Sequence, residues 1–144
     1  MNKVTSSLDG IFSLKGKVAV IIGGGGHLCS VMAEGLAIAG ASLLIVDMRM
    51  KKAIEAAKII NDLHKCNVIP IEANVTDQKS LVNVLDIALK NYSKVDILIN
   101  GAGSNSSKPF LEITLEEWRE VMDSQITGTM MACKVFGPTM LKQK

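Results

Sequence analysis

The chain has 144 residues, 48% of them apolar and 21% charged, with a formal net charge of +2. That length allows one domain at most with a buried core, and so small a charge argues against nucleic acid or an anionic membrane surface as partner. Its three cysteines, Cys29, Cys66 and Cys133, are widely spaced and read as reduced thiols, neither a disulfide framework nor a metal site.

Residues 1–13 read as an extension, and Asp9 and Lys15 around its short apolar patch are unlike a signal peptide. No apolar run approaches the roughly 20 residues of a membrane span, so a cytoplasmic protein is expected. From residue 14 to 144 strand-like and helix-like segments alternate. Strands are expected at Lys17–Ile22, Ser42–Asp47, Asn67–Asn74 and Val95–Asn100, each an apolar run without alternation, as in a parallel sheet covered on both faces. Helical patterns fill His27–Ala39, Arg49–Lys65 and Thr76–Ser93, and a fourth long helix is expected from Thr114 to near the C-terminus. Gly40 suits a helix C-cap, and Thr114-Leu-Glu-Glu117 is a capping box. The fold class is α/β, a doubly wound parallel sheet.

Candidate binding residues gather at the carboxyl ends of these strands, where open α/β sheets take their ligands. The first strand breaks into Gly23, Gly24, Gly25 and Gly26, and a helix then starts at His27 and Leu28. Glycines there permit positive φ and close backbone approach, and the helix start adds free N–H groups for a dinucleotide pyrophosphate. Asp47, followed by Met48, ends the second strand about 20 residues on, where a carboxylate accepts from ribose hydroxyls and repels an added phosphate. NAD is therefore expected over NADP, although Arg49 could partly offset Asp47. Asn74 and Val75 close the third strand, either beside an adenine ring or as turn chemistry before Thr76. Asn100, Gly101, Ala102 and Gly103 end the fourth as a small-residue wall, with Asn100 able to tie neighbouring strand ends.

Taken together, Leu14-Lys-Gly-Lys-Val-Ala-Val-Ile, the glycine loop, Asp47, Asn100-Gly-Ala-Gly103, Glu117-Trp118 and Asp123-Ser-Gln-Ile-Thr-Gly128 resemble the N-terminal part of a short-chain dehydrogenase/reductase. The resemblance covers residues 14–144 and implies an oxidoreductase that moves a hydride between NAD(P) and a small carbonyl or secondary alcohol. The glycine loop departs from the family pattern, with Ile22, His27 and Cys29 where a threonine and two glycines are usual. This variant and Asn100–Asn105 resemble the D-mannonate oxidoreductase or fructuronate reductase-like branch, which implies a sugar acid substrate. Gln125 falls at the family's active-site asparagine, either holding the same water or packing structurally.

The resemblance further implies a catalytic Ser, Tyr and Lys from a later segment. The single tyrosine, Tyr92, precedes Ser93-Lys94 and lies away from the cofactor edge. The 144-residue chain alone is thus expected to be a cofactor-binding part without turnover. Its fourth strand would leave an open edge, and the last helix an apolar face of Met122, Ile126, Met130, Met131, Val135 and Phe136. A homo-oligomer is expected. A non-catalytic NAD-binding module and an S-adenosylmethionine methyltransferase remain alternatives, the second disfavoured by Asn100–Gly103.

Overall fold

The computed structural model describes residues 10–143. Its elements run β1 (Val18–Ile22), α1 (His27–Ile38), β2 (Ser42–Asp47), α2 (Met50–His64), β3 (Val68–Glu72), α3 (Gln78–Tyr92) and β4 (Ile97–Asn100), then α4 (Leu115–Met122) and α5 (Gly128–Lys142). The strands form one parallel sheet in the order β3-β2-β1-β4. The direction of winding reverses at β1, so a crevice opens where β1 and β4 diverge from their helices.

Alternate residues of each strand feed opposite cores. Val18, Val20, Ile22, Leu44 and Val46 pack on Leu81, Val84 and Ala88 of α3 and on Ala132 and Phe136 of α5. Ala19, Ile21, Leu43 and Ile45 pack on Cys29, Ala33 and Ala37 of α1 and on Ala53, Ala56, Ala57 and Ile60 of α2. With both faces covered, neither register position can be polar, which is why the strands read as unbroken apolar runs. Pro70 lies in β3, an outer strand, where a missing N–H is tolerated.

The helix boundaries follow local chemistry. Asp77 accepts from the Lys79 N–H at the start of α3, and Thr114 and Glu117 close the expected capping box at α4. Gly40, at φ +99°, follows α1 and donates to Ala37 O. β2 has the expected bounds, while β1, β3 and β4 are shorter: β1 starts at Val18, β3 runs Val68–Glu72, and β4 starts at Ile97, after Asp96, whose carboxylate accepts from the Val18 N–H.

One expectation is refined and another corrected. The last helix runs from Leu115 to Lys142 as expected, but a π-turn at Asp123–Thr127 divides it into α4 and α5. And Phe136 is fully buried in the core, leaving Met122, Ile126 and Met130 as the exposed apolar residues of that face. The outer edge of β4 is also partly answered: Gln143 Oε1 accepts from the Val95 N–H at 3.0 Å, and its Nε2 donates to Val95 O at 2.8 Å. That side-chain amide pairs the backbone at the entry to β4 much as a neighbouring strand would.

Asp96 fastens the amino ends of β1 and β4. Burial works against its charge, but the Val18 N–H, Lys94 and Lys17 together hold its carboxyl below the usual carboxylate range. A depressed folded-state pKa gives stability that is present above the unfolded value and lost as pH falls through the folded one. Asp96→Asn should therefore cost about 1–2 kcal/mol at pH 7 and flatten the acid limb of stability below about pH 4. Urea titrations of both proteins at pH 7 and pH 3 check this, and equal stability at pH 7 would refute it.

Candidate functional site

The crevice at the carboxyl ends of the strands is a cleft of about 580 Å³. Gly23 and Gly26 form its floor, Asp47, Met48 and Arg49 one end, and Asn74, Val75 and Thr76 one side. Gly101–Ser104 form the facing wall, with Glu120, Asp123 and Ser124 beyond it.

The four loop glycines do different work. Gly23 has φ +81°, and a Cβ there would stand 2.6 Å from the Ala102 N. No side chain fits between the β1 turn and the β4 wall. Gly24 is buried; its Cβ would meet Ile45 Cγ2 at 2.8 Å, so packing rather than ligand approach requires it. Gly25 is wedged against α2, where a Cβ would meet Lys52 Cβ at 2.7 Å and Asp47 Oδ2 at 2.8 Å.

Backbone donors are likewise divided. The Gly23 and Gly24 N–H groups donate to Val46 O at 2.8 and 2.9 Å, and the Gly26 N–H donates to Gly23 O at 3.0 Å. These three amides are consumed in building the turn. Among the described residues, the N–H groups of Gly25, His27, Leu28 and Cys29 find no acceptor. Apart from Gly25, the free backbone donors thus lie later than the glycine run suggests, at the first turn of α1, where a helix offers unpaired N–H groups and partial positive charge. The side chains of His27 and Leu28 are exposed outside the cleft, and His27 borders a separate groove between α1 and α2.

Among the described residues, Asp47 is the one buried charged residue, at 6% exposure. Its Oδ1 accepts from the Arg49 N–H at 3.0 Å and lies 3.6 Å from Arg49 Nε. The guanidinium is itself exposed, so it offsets the carboxylate only partly. Cys29 lies below the loop. Burial pushes its thiol up, and the negative charge of Asp47 pushes it further, so it stays a neutral packing group. A Cβ on Gly101 would overlap the Cys29 Sγ. The pair exchanges volume: the residue that replaces a family glycine on α1 occupies space that Gly101 vacates on the wall.

Other expected residues resolve by geometry. Asn74 Oδ1 accepts from the Thr76 N–H at 3.0 Å and from Thr76 Oγ1 at 2.9 Å, so its oxygen serves the turn while the residue still lines the cleft. Val75 is buried against Gly128, where a Cβ would meet Val75 Cγ2 at 2.8 Å. Asn100 does not tie strand ends; its Nδ2 reaches Cys133 Sγ on α5 at 3.5 Å, and its Oδ1 is buried without a partner. Gln125 is outside the lining of the cleft, and its amide holds the wall loop from behind. Tyr92 ends α3, away from the cleft, with its hydroxyl buried and its pKa raised by that burial. Glu120, from α4, and Asp123 and Ser124, from the π-turn, were not expected in the cleft; a π-turn has no periodic signature in sequence.

A parallel sheet whose first crossover starts a helix with free N–H groups and whose second strand ends in a buried carboxylate has the architecture of the dinucleotide-binding class of fold. The family model for short chain dehydrogenase matches residues 17–144, and the chain belongs to that family. It is 34% identical over 145 residues to an uncharacterised oxidoreductase, UxuB, of Bacillus subtilis, covering 90% of this chain and 52% of the relative. It is 30% identical over 135 residues to an NADP-dependent mannitol dehydrogenase of Alternaria alternata, covering 92% of this chain and 51% of the relative. A solved structure from Haemophilus influenza, named as a candidate D-mannonate oxidoreductase with bound NAD, superposes at a TM-score of 0.84 with 25% identity, covering 92% of this chain and 53% of that one. The chain spans about half the length of these relatives.

Proposed function

We propose that this chain is the cofactor-binding part of an NAD(P)-dependent oxidoreductase, using NAD in preference to NADP. The observation that carries the reading is Asp47, a buried carboxylate at the end of the same cleft that Gly23 and Gly26 floor. Leu28 and its neighbours at the start of α1 would hold the diphosphate by backbone N–H groups, and Asp47 the adjoining ribose. Val75, Ala102 and Gly103 would flank the base. When bound, the nicotinamide supplies the hydride acceptor or donor.

The substrate is a small carbonyl compound or secondary alcohol, and the glycine-loop variant together with Asn100–Asn105 points to a sugar acid such as mannonate or fructuronate. The likeness to the Haemophilus protein supports that branch. The one tyrosine is sequestered at the end of α3, so the 144-residue chain binds cofactor without turning substrate over. The exposed Met122, Ile126 and Met130 and the outer edge of β4 favour self-association.

Titration of the purified chain with NADH and NADPH, read by nicotinamide fluorescence and calorimetry, tests this. Saturable NADH binding, at least about tenfold tighter than NADPH, is expected from one unfavourable charge contact. Light scattering on the same material should give a mass above the monomer. Absence of saturation with both nucleotides would remove the reading.

A further inference from the structure

The π-turn places two consecutive side chains against one loop. Gln125 Nε2 donates to Ser104 O at 2.9 Å and to Asn105 Oδ1 at 2.9 Å, so both amide hydrogens are spent. Ser124 Oγ accepts from the Ser104 N–H at 3.0 Å and sits 3.0 Å from Ser104 Oγ. The Ser104 hydroxyl also reaches Glu120 O at 3.5 Å. Every polar group of Ser104 is therefore held from the α4–α5 junction. Gly103 makes the fit possible, because a Cβ there would stand 2.6 Å from Gln125 Cγ. In a regular α-helix neighbouring side chains diverge around the axis, and the wider π-turn alters that register.

We infer that Ser124 and Gln125 are a latch that positions the Gly101–Asn105 wall of the cofactor cleft. Gln125 is a positioning residue, and its donors act on the loop rather than on a substrate or a water. The inference rests on the cofactor reading for its effect on binding, but not for its effect on the loop. Shortening the residue by one methylene, as in Q125N, withdraws the amide from Ser104. Q125E keeps the length and turns a double donor into an acceptor that faces two oxygens.

The test compares wild type, Q125E, Q125N and S124A by amide hydrogen exchange across 101–106, and by calorimetric NAD⁺ binding at pH 8 and pH 5. In Q125E the Ser104 amide should lose about tenfold in protection and NAD⁺ affinity should fall about tenfold at pH 8, as expected for removing hydrogen-bond donors from the loop. At pH 5, close to the ordinary glutamate value of about 4.3, part of the side chain takes up a proton and donates again. The variant-to-wild-type affinity ratio then narrows relative to pH 8; effects of Glu120, Asp123 and His27 are common to both proteins and cancel in that ratio. Q125N should show the same losses at both pH values, and S124A, which removes the acceptor of the Ser104 N–H, at least as large a loss of Ser104 protection. Wild-type protection of Ser104 in Q125E and Q125N, or a Q125E deficit independent of pH, overturns the latch. If Q125E does not fold, Q125N and S124A decide it on exchange. If wild type binds no NAD⁺, the cofactor reading fails and exchange alone judges the latch.

Discussion

Gly23→Ala is expected to remove NADH binding and to cost the fold about 2–5 kcal/mol. Two independent causes add. The residue sits at φ +81°, where an L side chain is strained, and the new Cβ would press on Ala102 N at 2.6 Å and Gly101 C at 2.7 Å. Those are backbone atoms, so no rotamer change relieves the contact. Relief requires the β1 turn and the β4 wall to separate, which breaks the Gly101 N–H bond to Ile22 O. The Gly23 and Gly24 bonds to Val46 O would shift with it, carrying the start of α1 away from Asp47. Guanidinium unfolding and NADH fluorescence on the same preparation check both halves. Wild-type stability with wild-type affinity would show that the turn adapts and that the glycine loop is not rigid.

Asp47→Ala should weaken NADH binding by about 10- to 100-fold, the range for losing hydrogen bonds to a charged acceptor. NADPH should lose far less, because the repulsion of its extra phosphate disappears as the ribose bonds do, and Arg49 is released from the 3.6 Å contact. The preference between the nucleotides is the sharper reading, since general damage would lower both. Asp47→Asn separates the roles: it can still accept from the Arg49 N–H, keeping the β2–α2 turn, while giving up the charge. Measured nucleotide preferences equal to wild type in both variants would mean that Asp47 is only a turn residue.

The sequence alone carried the sheet. Runs such as Val18–Ile22 and Leu43–Val46 can be apolar at every position only if helices cover both faces, and the Gly and Thr punctuation marks where each unit turns. It also placed Asp47 and the Gly101–Gly103 wall at strand ends, because parallel topology sends all carboxyl ends to one edge. Which glycine serves what was beyond it. Gly24 and Gly25 answer to Ile45 and Lys52, residues 21 and 27 positions away in the chain, and no local pattern encodes such contacts. The division of N–H groups between Val46 O and the helix start depends on how β1 and β2 lie together. The π-turn was likewise illegible, since Thr114–Lys142 keeps helical spacing through it, and only the Gln125 contacts to Ser104 and Gly103 expose it. Local propensity and period determine where elements run; the contacts that tune a site join residues far apart in sequence, and packing alone settles them.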